Sequence, residues 1–228
     1  MTTASAEVEA QKQAAAQRAL ELVKPGTIVG LGTGSTARYF IEGLAARIQN
    51  GLLVQAVATS LESRAMAEAG GIPITERADG SLDLAVDGAD EIDPALNCVK
   101  GRGGALLREK IVAHASRRFV LIADETKLVG RLGRGPVPIE VLPFLWEATS
   151  RSIESLGGRP QLRMAPGGPF TTDNGNLVLD TSFGKVDPAL GVALHAIPGV
   201  IEHGLFFGMA QAAIVGSGTG LRVLGELP

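Results

Sequence analysis

An α/β fold, built on a doubly wound, mostly parallel sheet with a second, smaller α+β domain, is predicted by three features of this sequence. Short apolar stretches alternate with helix-like segments between residues 27 and 123, which is typical of strands that pair in a parallel sheet. Glycine makes up 30 of the 228 residues and follows several of those stretches. After Lys127, strand and helix patterns mix over a short span.

The first predicted elements are a helix, a strand and a second helix. Residues 7–23 are rich in Ala, Gln, Leu and Glu and lack Gly and Pro, so they favour a helix that Pro25-Gly26 ends. Residues 27–30 predict a strand, and a glycine turn leads to Ser35, which is expected to cap the next helix. The alternation then repeats as strand 53–58, helix 61–69, strand 82–86, helix 105–115 and strand 119–123.

A domain boundary is expected after Lys127, because glycine and proline crowd together between residues 130 and 138. An apolar run at 212–215 is expected to return to the first sheet as a final strand. The larger domain is therefore predicted to comprise residues 1–131 plus 208–228, and the small α+β domain residues 132–207. The elements predicted in the small domain are strands 139–142, 161–164 and 177–180 and helices 146–156 and 188–196.

Charge and composition argue against several classes of protein. Lys+Arg number 21 and Asp+Glu 24, a formal net charge of −3, and no basic stripe of the kind that binds nucleic acid is present. Neither a secretory signal nor a membrane-spanning stretch is predicted, so a cytoplasmic protein is expected. Cys98 is the only cysteine, and His114, His195 and His203 are scattered singly, so no disulfide and no metal site are expected.

The loop after the first predicted strand, residues 32–37, fits the dinucleotide pattern Gly-x-Gly-x-x-Gly/Ala. That pattern needs an acidic residue at the end of the second strand, where Ala58-Thr59-Ser60 stands instead, so a nicotinamide cofactor is disfavoured. A loop of small and hydroxyl residues at a helix N-terminus favours a phosphate, with Thr33, Ser35 and Thr36 as hydroxyl donors. An ordinary tight turn is the alternative.

Three carboxylates lie within Asp87-Gly88-Ala89-Asp90-Glu91, just past the third predicted strand of this sequence. Open α/β sheets bind their ligands at the carboxyl ends of strands, so this position suits a site. Carboxylates this close repel one another, and at least one is expected to have a raised pKa and to exchange protons with a substrate oxygen. A solvated acidic turn is the alternative.

Two further loops contribute a glutamate and two lysines. Lys100 begins a glycine-rich loop whose backbone can approach a ligand closely, and Glu109 lies early in the helix that follows. Taken singly, Glu109 could merely complement the helix dipole and Lys100 could be solvated. Lys127 follows the next strand and could reach a phosphate. Together these groups suit proton transfer on a phosphorylated sugar, with a glutamate base and a lysine that stabilises the developing oxyanion.

The motifs, in this order, resemble the type A ribose-5-phosphate isomerase family. The resemblance implies a Rossmann-like large domain and a small α+β domain. It also implies interconversion of ribose 5-phosphate and ribulose 5-phosphate through a 1,2-enediolate, in the non-oxidative pentose phosphate pathway, without metal or organic cofactor, by a homodimer or dimer of dimers. The motifs that carry it are Gly32-Thr33-Gly34-Ser35-Thr36, residues 87–91, residues 100–104 with Glu109-Lys110-Ile111, residues 123–127, and Thr172-Asp173-Asn174-Gly175-Asn176.

The resemblance also implies roles for individual residues. Glu109 resembles the base that moves a proton between two carbons, Lys100 the group that stabilises the enediolate oxygen, and Asp90 the group that helps to open the furanose ring. Asp87 resembles the carboxylate that orients the substrate. Some family members carry glycine at the position of Arg102, whose side chain is expected to point outward. The implied substrate contacts are Thr33, Gly34, Ser35, Thr36, Asp87, Gly88, Ala89, Asp90, Lys100, Gly101, Arg102, Gly103 and Lys127.

Two other functions on a related fold remain as alternatives. A relative of glucosamine-6-phosphate deaminase would share the phosphate loop and the acidic turn, but the block from Lys100 to Glu109 argues against it. A sugar-phosphate sensor of the kind found in transcriptional repressors would need a DNA-binding segment. The sequence has neither a helix-turn-helix pattern nor a basic patch.

Overall fold

The computed structural model describes residues 3–76 and 82–227. Up to residue 128 its elements are α1 (Thr3–Leu20), β1 (Ile28–Leu31), α2 (Ser35–Gln49), β2 (Gln55–Ala58), α3 (Leu61–Ala69), β3 (Leu84–Asp87), β4 (Glu91–Ile92), β5 (Cys98–Val99), α4 (Leu106–Ala115), β6 (Phe119–Asp124) and a 3₁₀ turn at Glu125–Lys127. The later elements are β7 (Val137–Val141), α5 (Trp146–Ser155), β8 (Arg159–Leu162), β9 (Met164–Ala165), β10 (Gly168–Pro169), β11 (Leu177–Ser182), α6 (Pro188–His195), β12 (Val200–His203), β13 (Leu205–Phe206), β14 (Ala212–Ser217) and β15 (Gly220–Gly225). Within these described ranges, no helix has the length and apolar character that crossing a bilayer requires.

The chain divides into two compact units. The first unit comprises Met1–Ala89, Arg108–Leu128 and Gly208–Pro228, and the second comprises Asp90–Leu107 and Val129–Phe207. The chain therefore crosses into the second unit immediately before Asp90 and returns immediately after Leu107.

The first unit contains a six-stranded sheet in the order β15-β14-β6-β3-β1-β2. All neighbouring strands are parallel except β15, which pairs with β14 in the antiparallel sense. The predicted α/β class is confirmed. The expected return of the last apolar run is also confirmed, because Ala212 of β14 lies opposite Val120 of β6.

Helix α1 packs closely on this sheet because small residues face it. Ala15, Ala16 and Ala19 are fully buried in the core of the first unit, where α1 contacts β6 and β14. On the strand side, a Cβ atom at Gly216 would overlap the backbone of Gln11. Glycine is therefore required at residue 216 by the close approach of a helix backbone, and not by a ligand.

The second unit is built on a four-stranded sheet in the order β12-β7-β11-β8, in which all pairs are antiparallel. Val137, Ile139 and Val141 alternate along β7 and, like Ile153 of α5 and Leu194 of α6, lie in the core of this unit. The unit has the α+β character that the sequence predicts. A β9-β10 hairpin completes it, together with a three-stranded sheet in the order β13-β5-β4.

The division differs from the sequence-based boundaries at residues 90–107 and 129–131, which were expected in the larger domain and lie in the second unit. Strand β5 pairs with β13, and the Lys100 N–H donates to the Gly204 carbonyl oxygen at 2.8 Å. The three strands of this small sheet have only two residues each. A two-residue strand has no periodicity, so the local sequence did not predict this pairing.

We expect Gly216→Ala to destabilise the protein by about 1–3 kcal/mol, because its Cβ would force α1 away from β14. Thermal unfolding followed by circular dichroism measures this, at roughly 2–4 °C per kcal/mol for a chain of this size. Gly184→Ala is the matched control, since a Cβ there meets no heavy atom within 4 Å. Equal midpoints for the two variants would contradict the steric explanation.

Candidate active site

The loop between β1 and α2 forms the first part of the candidate site. Gly34 precedes the first helical residue with φ 102°, a conformation that favours glycine, and makes no side-chain capping bond. The prediction that Ser35 caps α2 is therefore wrong, because the helix already begins at Ser35. The hydroxyl of Ser35 is exposed beside the first-turn N–H groups of α2, which have no acceptors within the helix.

Thr33 belongs to a cluster of four hydroxyl groups, which we name the hydroxyl cluster: Thr33, Thr59, Ser60 and Ser63. Thr33 Oγ1 lies 2.7 Å from Thr59 Oγ1, 2.9 Å from Ser60 Oγ and 3.0 Å from Ser63 Oγ. Ser63 Oγ also donates to the Gly32 carbonyl oxygen at 2.7 Å. The hydroxyl of Thr33 is thus bound inside the first unit and gives the loop its shape. The end of β2, where a dinucleotide site needs a carboxylate, is occupied by these hydroxyl residues.

Lys12 of α1 also contacts this loop, and the sequence analysis missed it. Lys12 Nζ donates to Ser35 Oγ at 3.1 Å and to Glu9 Oε1 at 2.7 Å, and its side chain is 12% exposed. Tyr39 Oη donates to Glu9 Oε2 at 2.7 Å. The hydrogen bonds from Lys12 and Tyr39 hold the pKa of Glu9 below its ordinary value. No local motif could have identified Lys12, because its contact with Ser35 depends on how α1 packs against α2.

Asp87, the last residue of β3, joins two loops of the first unit. Its side chain is buried, and Oδ1 accepts hydrogen bonds from the N–H groups of Thr33 at 3.1 Å and Gly88 at 2.7 Å. A Cβ atom at Gly32 would overlap the Asp87 carboxylate. Gly32 therefore makes room for a protein side chain.

Glu109 and Lys127 follow the two remaining loops of the first unit. Glu109 lies in the first turn of α4, where a carboxylate complements the helix dipole, and it is only 4% exposed. Lys127 ends the 3₁₀ turn that follows β6 and is half-buried. In that turn, the Asp124 carboxylate accepts hydrogen bonds from the N–H and hydroxyl groups of Thr126.

In the second unit, Lys100 is held by both its backbone and its side chain. Lys100 is 2% exposed, its N–H is bonded to Gly204, and its Nζ lies 5.7 Å from the centre of the Phe206 ring. A cation over an aromatic face is stabilised by the ring quadrupole. The prediction of a fixed positive charge agrees with this burial, whereas the alternative of a solvated lysine does not.

The two acidic residues at the start of the second unit have different surroundings. Glu91 is buried, and its carboxylate accepts hydrogen bonds from the N–H groups of Gly133 at 2.8 Å, Arg134 at 3.2 Å and Gly135 at 2.6 Å. Asp90 is more exposed, and its Oδ2 accepts the Arg102 N–H at 3.0 Å. Glu91 therefore anchors a turn, and the idea of a wholly solvated acidic turn is wrong for this residue.

Arg102 is exposed, in line with the expectation of an outward side chain, and it also contacts two acidic residues. Its Nη2 lies 3.3 Å from Glu91 Oε1 and its Nε lies 4.0 Å from Asp90 Oδ1. The side chain folds back onto these two carboxylates because they supply the nearest negative charge, and it still remains 41% exposed. Arg102 thus stabilises the acidic pair in its own unit.

The motif at residues 172–176, part of the sequence resemblance, surrounds a buried carboxylate in the second unit. Glu140 of β7 is fully buried, and its Oε1 accepts hydrogen bonds from Thr172 Oγ1 at 2.9 Å, Asn174 Nδ2 at 3.1 Å and Asn176 Nδ2 at 2.8 Å. A buried carboxylate needs such donors, because an ion without them is costly to desolvate. This motif therefore stabilises the second unit.

One group among the described residues has the spacing of a metal site, and it unites two histidines that appeared isolated in the sequence: His195, Glu202 and His203. His195 Nε2 lies 3.3 Å from Glu202 Oε1. However, His203 Nδ1 accepts the Leu205 N–H at 3.2 Å, and His203 Nε2 lies 3.1 Å from the Gly191 carbonyl oxygen. Both ring nitrogens of His203 are thus bonded to backbone, as in a core histidine, and the lone pair that a metal needs is in use.

These features define a class of protein. It is a doubly wound α/β protein in which a glycine and hydroxyl loop at a helix N-terminus follows β1, the buried carboxylate of Asp87 ends β3, and Lys127 follows β6. These positions are the carboxyl ends of parallel strands, where open α/β sheets bind their ligands.

Comparison with known proteins identifies the family. The sequence profile of ribose 5-phosphate isomerase A (phosphoriboisomerase A) matches residues 55–220. The chain is 51% identical over 227 residues to ribose-5-phosphate isomerase A of Bradyrhizobium diazoefficiens, covering 93% of this chain and 94% of that protein. It is 46% identical over 218 residues to that of Methanothermobacter thermautotrophicus, covering 93% and 96%.

Solved structures agree with the sequence comparison. A D-ribose-5-phosphate isomerase in complex with phospho-erythronic acid superposes with a TM-score of 0.93 at 40% identity, covering 96% of this chain and 99% of that one. Ribose 5-phosphate isomerase A from Methanocaldococcus jannaschii gives 0.91 at 38% identity, covering 94% and 98%. The chain therefore belongs to the ribose 5-phosphate isomerase A family, and the resemblance inferred from its motifs is confirmed.

The hydrogen bonds to Glu9 predict how stability depends on pH. Because the folded pKa of Glu9 lies below its unfolded value, its stabilisation is complete above the unfolded pKa and is lost as pH falls through the folded one. Glu9→Gln should therefore lower the thermal midpoint at about pH 7 and have much less effect at about pH 3. Glu42→Gln, at an exposed position of α2, is the control. A Glu9→Gln deficit that is the same at both pH values would refute this account.

Proposed function

We propose that this chain interconverts D-ribose 5-phosphate and D-ribulose 5-phosphate through a 1,2-enediolate. The observation that carries this proposal is about 50% identity to ribose-5-phosphate isomerases A over more than nine-tenths of the chain. The local geometry supports the individual roles. Asp87 and Glu109 belong to the first unit and Asp90 and Lys100 to the second.

The phosphate of the substrate is proposed to bind at the N-terminus of α2. The first-turn N–H groups and the helix dipole favour a dianion there. The Ser35 hydroxyl is exposed at this end, and Lys12 Nζ, which is also paired with Glu9, lies 3.1 Å from it as a charged hydrogen-bond donor. Gly34, Thr36 and Lys127 are proposed as further contacts. Thr33 is proposed to act mainly through the hydroxyl cluster, which holds the loop open.

The proton transfer is proposed to use Glu109 as the base. Its carboxylate removes the proton from C2 of the open-chain aldose, the C1=C2 bond forms, and the electrons of the carbonyl group move to O1. Lys100 stabilises the resulting oxyanion through its ammonium group, which acts mainly in the transition state. The O2 proton passes to O1, the C2=O2 bond forms, and the proton first taken from C2 returns from Glu109 to C1, which completes the ketose.

Asp90 and Asp87 are proposed to manage the hydroxyl protons and the substrate's orientation. Asp90 retains some exposure while Arg102 fixes its carboxylate, so it is suited to assist furanose ring opening and to carry a proton between O2 and O1. Asp87 is held rigidly by two backbone N–H groups, which suits a residue that orients hydroxyls. The proposed backbone contacts are Gly88, Ala89, Gly101 and Gly103, with Arg102 beside them.

The family resemblance further supports a cytoplasmic enzyme of the non-oxidative pentose phosphate pathway that works without metal as a homodimer or a dimer of dimers. Light scattering after size-exclusion chromatography tests the assembly. Incubation of the purified protein with ribose 5-phosphate, with and without EDTA, tests the reaction. Ketose should form in both samples. Substrate binding without ketose would favour a sugar-phosphate sensor, and loss of activity with EDTA would overturn the metal-free mechanism.

Glu109→Gln should preserve the shape of the side chain and lower the turnover number by about 10²–10⁴-fold, the usual contribution of a general base. Glu62→Gln is the matched control, because Glu62 is also in the first turn of a helix, α3, but is exposed. Steady-state ketose formation measures both variants. Near-full turnover of Glu109→Gln would remove Glu109 from this role.

Lys12→Met should raise KM for ribose 5-phosphate roughly 10–100-fold, the value of one charge-assisted hydrogen bond, with little change in kcat. The exposed Lys24 provides the control variant Lys24→Met.

Phospho-erythronic acid, found in complex with a related isomerase, is a useful probe beside unphosphorylated erythronic acid. The substitution should weaken inhibition by the phosphorylated acid alone. Equal weakening of both acids would exclude a phosphate contact for Lys12.

A further inference from the structure

We propose that Arg163 is a positioning residue for the isomerisation. From the junction of β8 and β9 it holds the glycine loop 101–104, and through that loop it holds Lys100 and Asp90 in their working positions. This inference rests on the proposed function and adds to it a residue that lies outside the motifs identified in the sequence. All the contacts that carry it lie within the second unit.

The guanidinium group of Arg163 contacts two backbone carbonyl groups of the loop. Nη1 donates to the Gly101 oxygen at 3.1 Å and to the Arg102 oxygen at 3.0 Å. These two carbonyl groups belong to the residues that directly follow Lys100. Gly101 and Gly104 have φ values of 102° and 84°, which glycine adopts readily. Because glycine also permits many other backbone conformations, the loop depends on contacts with neighbouring groups for a single shape.

Arg163 is itself immobilised on the opposite side. Its Nε donates to Asp180 Oδ2 at 2.8 Å and its Nη2 to Asp180 Oδ1 at 2.5 Å, a bidentate pair with a side chain that is 13% exposed. Its backbone is bonded to Val178 and Phe170. The Phe170 ring lies 5.4 Å from the guanidinium carbon and also fills the space beside Gly104, where a Cβ atom would overlap it. The planar guanidinium group bonds Asp180 and the two loop carbonyl groups at the same time, which an ammonium group cannot do.

The same loop connects Arg163 to both proposed catalytic groups of this unit. Arg102 donates its N–H to Asp90 Oδ2 at 3.0 Å while its carbonyl accepts from Arg163. On the other side, Gly101 follows Lys100, whose N–H is bonded to Gly204. If Arg163 no longer bonded the two carbonyl groups, the loop would therefore shift, and both Asp90 and Lys100 would leave their positions. The Arg163 guanidinium makes four hydrogen bonds, two to Asp180 and two to the loop carbonyl groups, so Arg163 acts through the loop.

Arg163→Lys is the test, with Arg159→Lys as the matched control at an exposed position of β8. Arg163→Lys should lower kcat roughly 10–100-fold, because a displacement of about 1 Å in a catalytic group has effects of this order. KM should change far less, since the proposed phosphate contacts lie in the first unit. Asp180→Asn, which weakens the bidentate pair, should lower kcat in the same direction. Thermal midpoints near that of the wild type establish that the variants are folded.

Hydrogen–deuterium exchange of residues 101–104 provides a readout that does not depend on activity. Exchange in this loop should be faster in Arg163→Lys than in the wild type and unchanged in Arg159→Lys. Unchanged exchange would overturn the proposal, whatever the kinetics. Faster exchange with an unchanged kcat would overturn the catalytic part. If the wild type itself forms no ketose, the proposed function fails, while the exchange experiment still decides whether Arg163 holds the loop.

Discussion

The carboxylate of Asp87 is the interaction on which the arrangement of the first unit depends. One oxygen accepts the N–H groups of Thr33 and Gly88, so the loop after β1 and the loop after β3 share a single acceptor. Hydrogen bonds to an ionised group are each stronger than neutral ones, at about 1.5–3 kcal/mol. The position of the Asp87 carboxylate also requires glycine at residue 32, because a Cβ atom there would overlap it.

The second unit also fixes a loop through a charged side chain, but here the charge is positive. In the first unit a buried carboxylate gathers backbone N–H groups, and in the second unit the guanidinium of Arg163 gathers the carbonyl groups of Gly101 and Arg102. Each arrangement fixes a glycine-rich loop through its backbone. Pre-organisation of this kind reduces the reorganisation that a reaction requires in its transition state.

For the glycine residues, the sequence predicted the positions of the loops better than the physical reasons for glycine. The glycine loops were identified correctly, because turn residues at the ends of apolar stretches form a local pattern. Their physical reasons were only partly predicted. Gly32 accommodates Asp87, Gly104 accommodates Phe170 and Gly216 accommodates the backbone of α1, so each is explained by a protein neighbour that is distant in the sequence.

The sequence by itself determined the α/β class, the order of the helices and of eight of the strands, and the loops that carry Glu109 and Lys100, because hydrophobic periodicity and motif spacing are local properties. Only the tertiary structure decided that Lys12 contacts Ser35, that residues 90–107 belong to the second unit and that Arg163 holds the loop after Lys100. These contacts join segments that are distant along the chain. Their partners are selected by the packing of whole elements, which no local pattern in the sequence records.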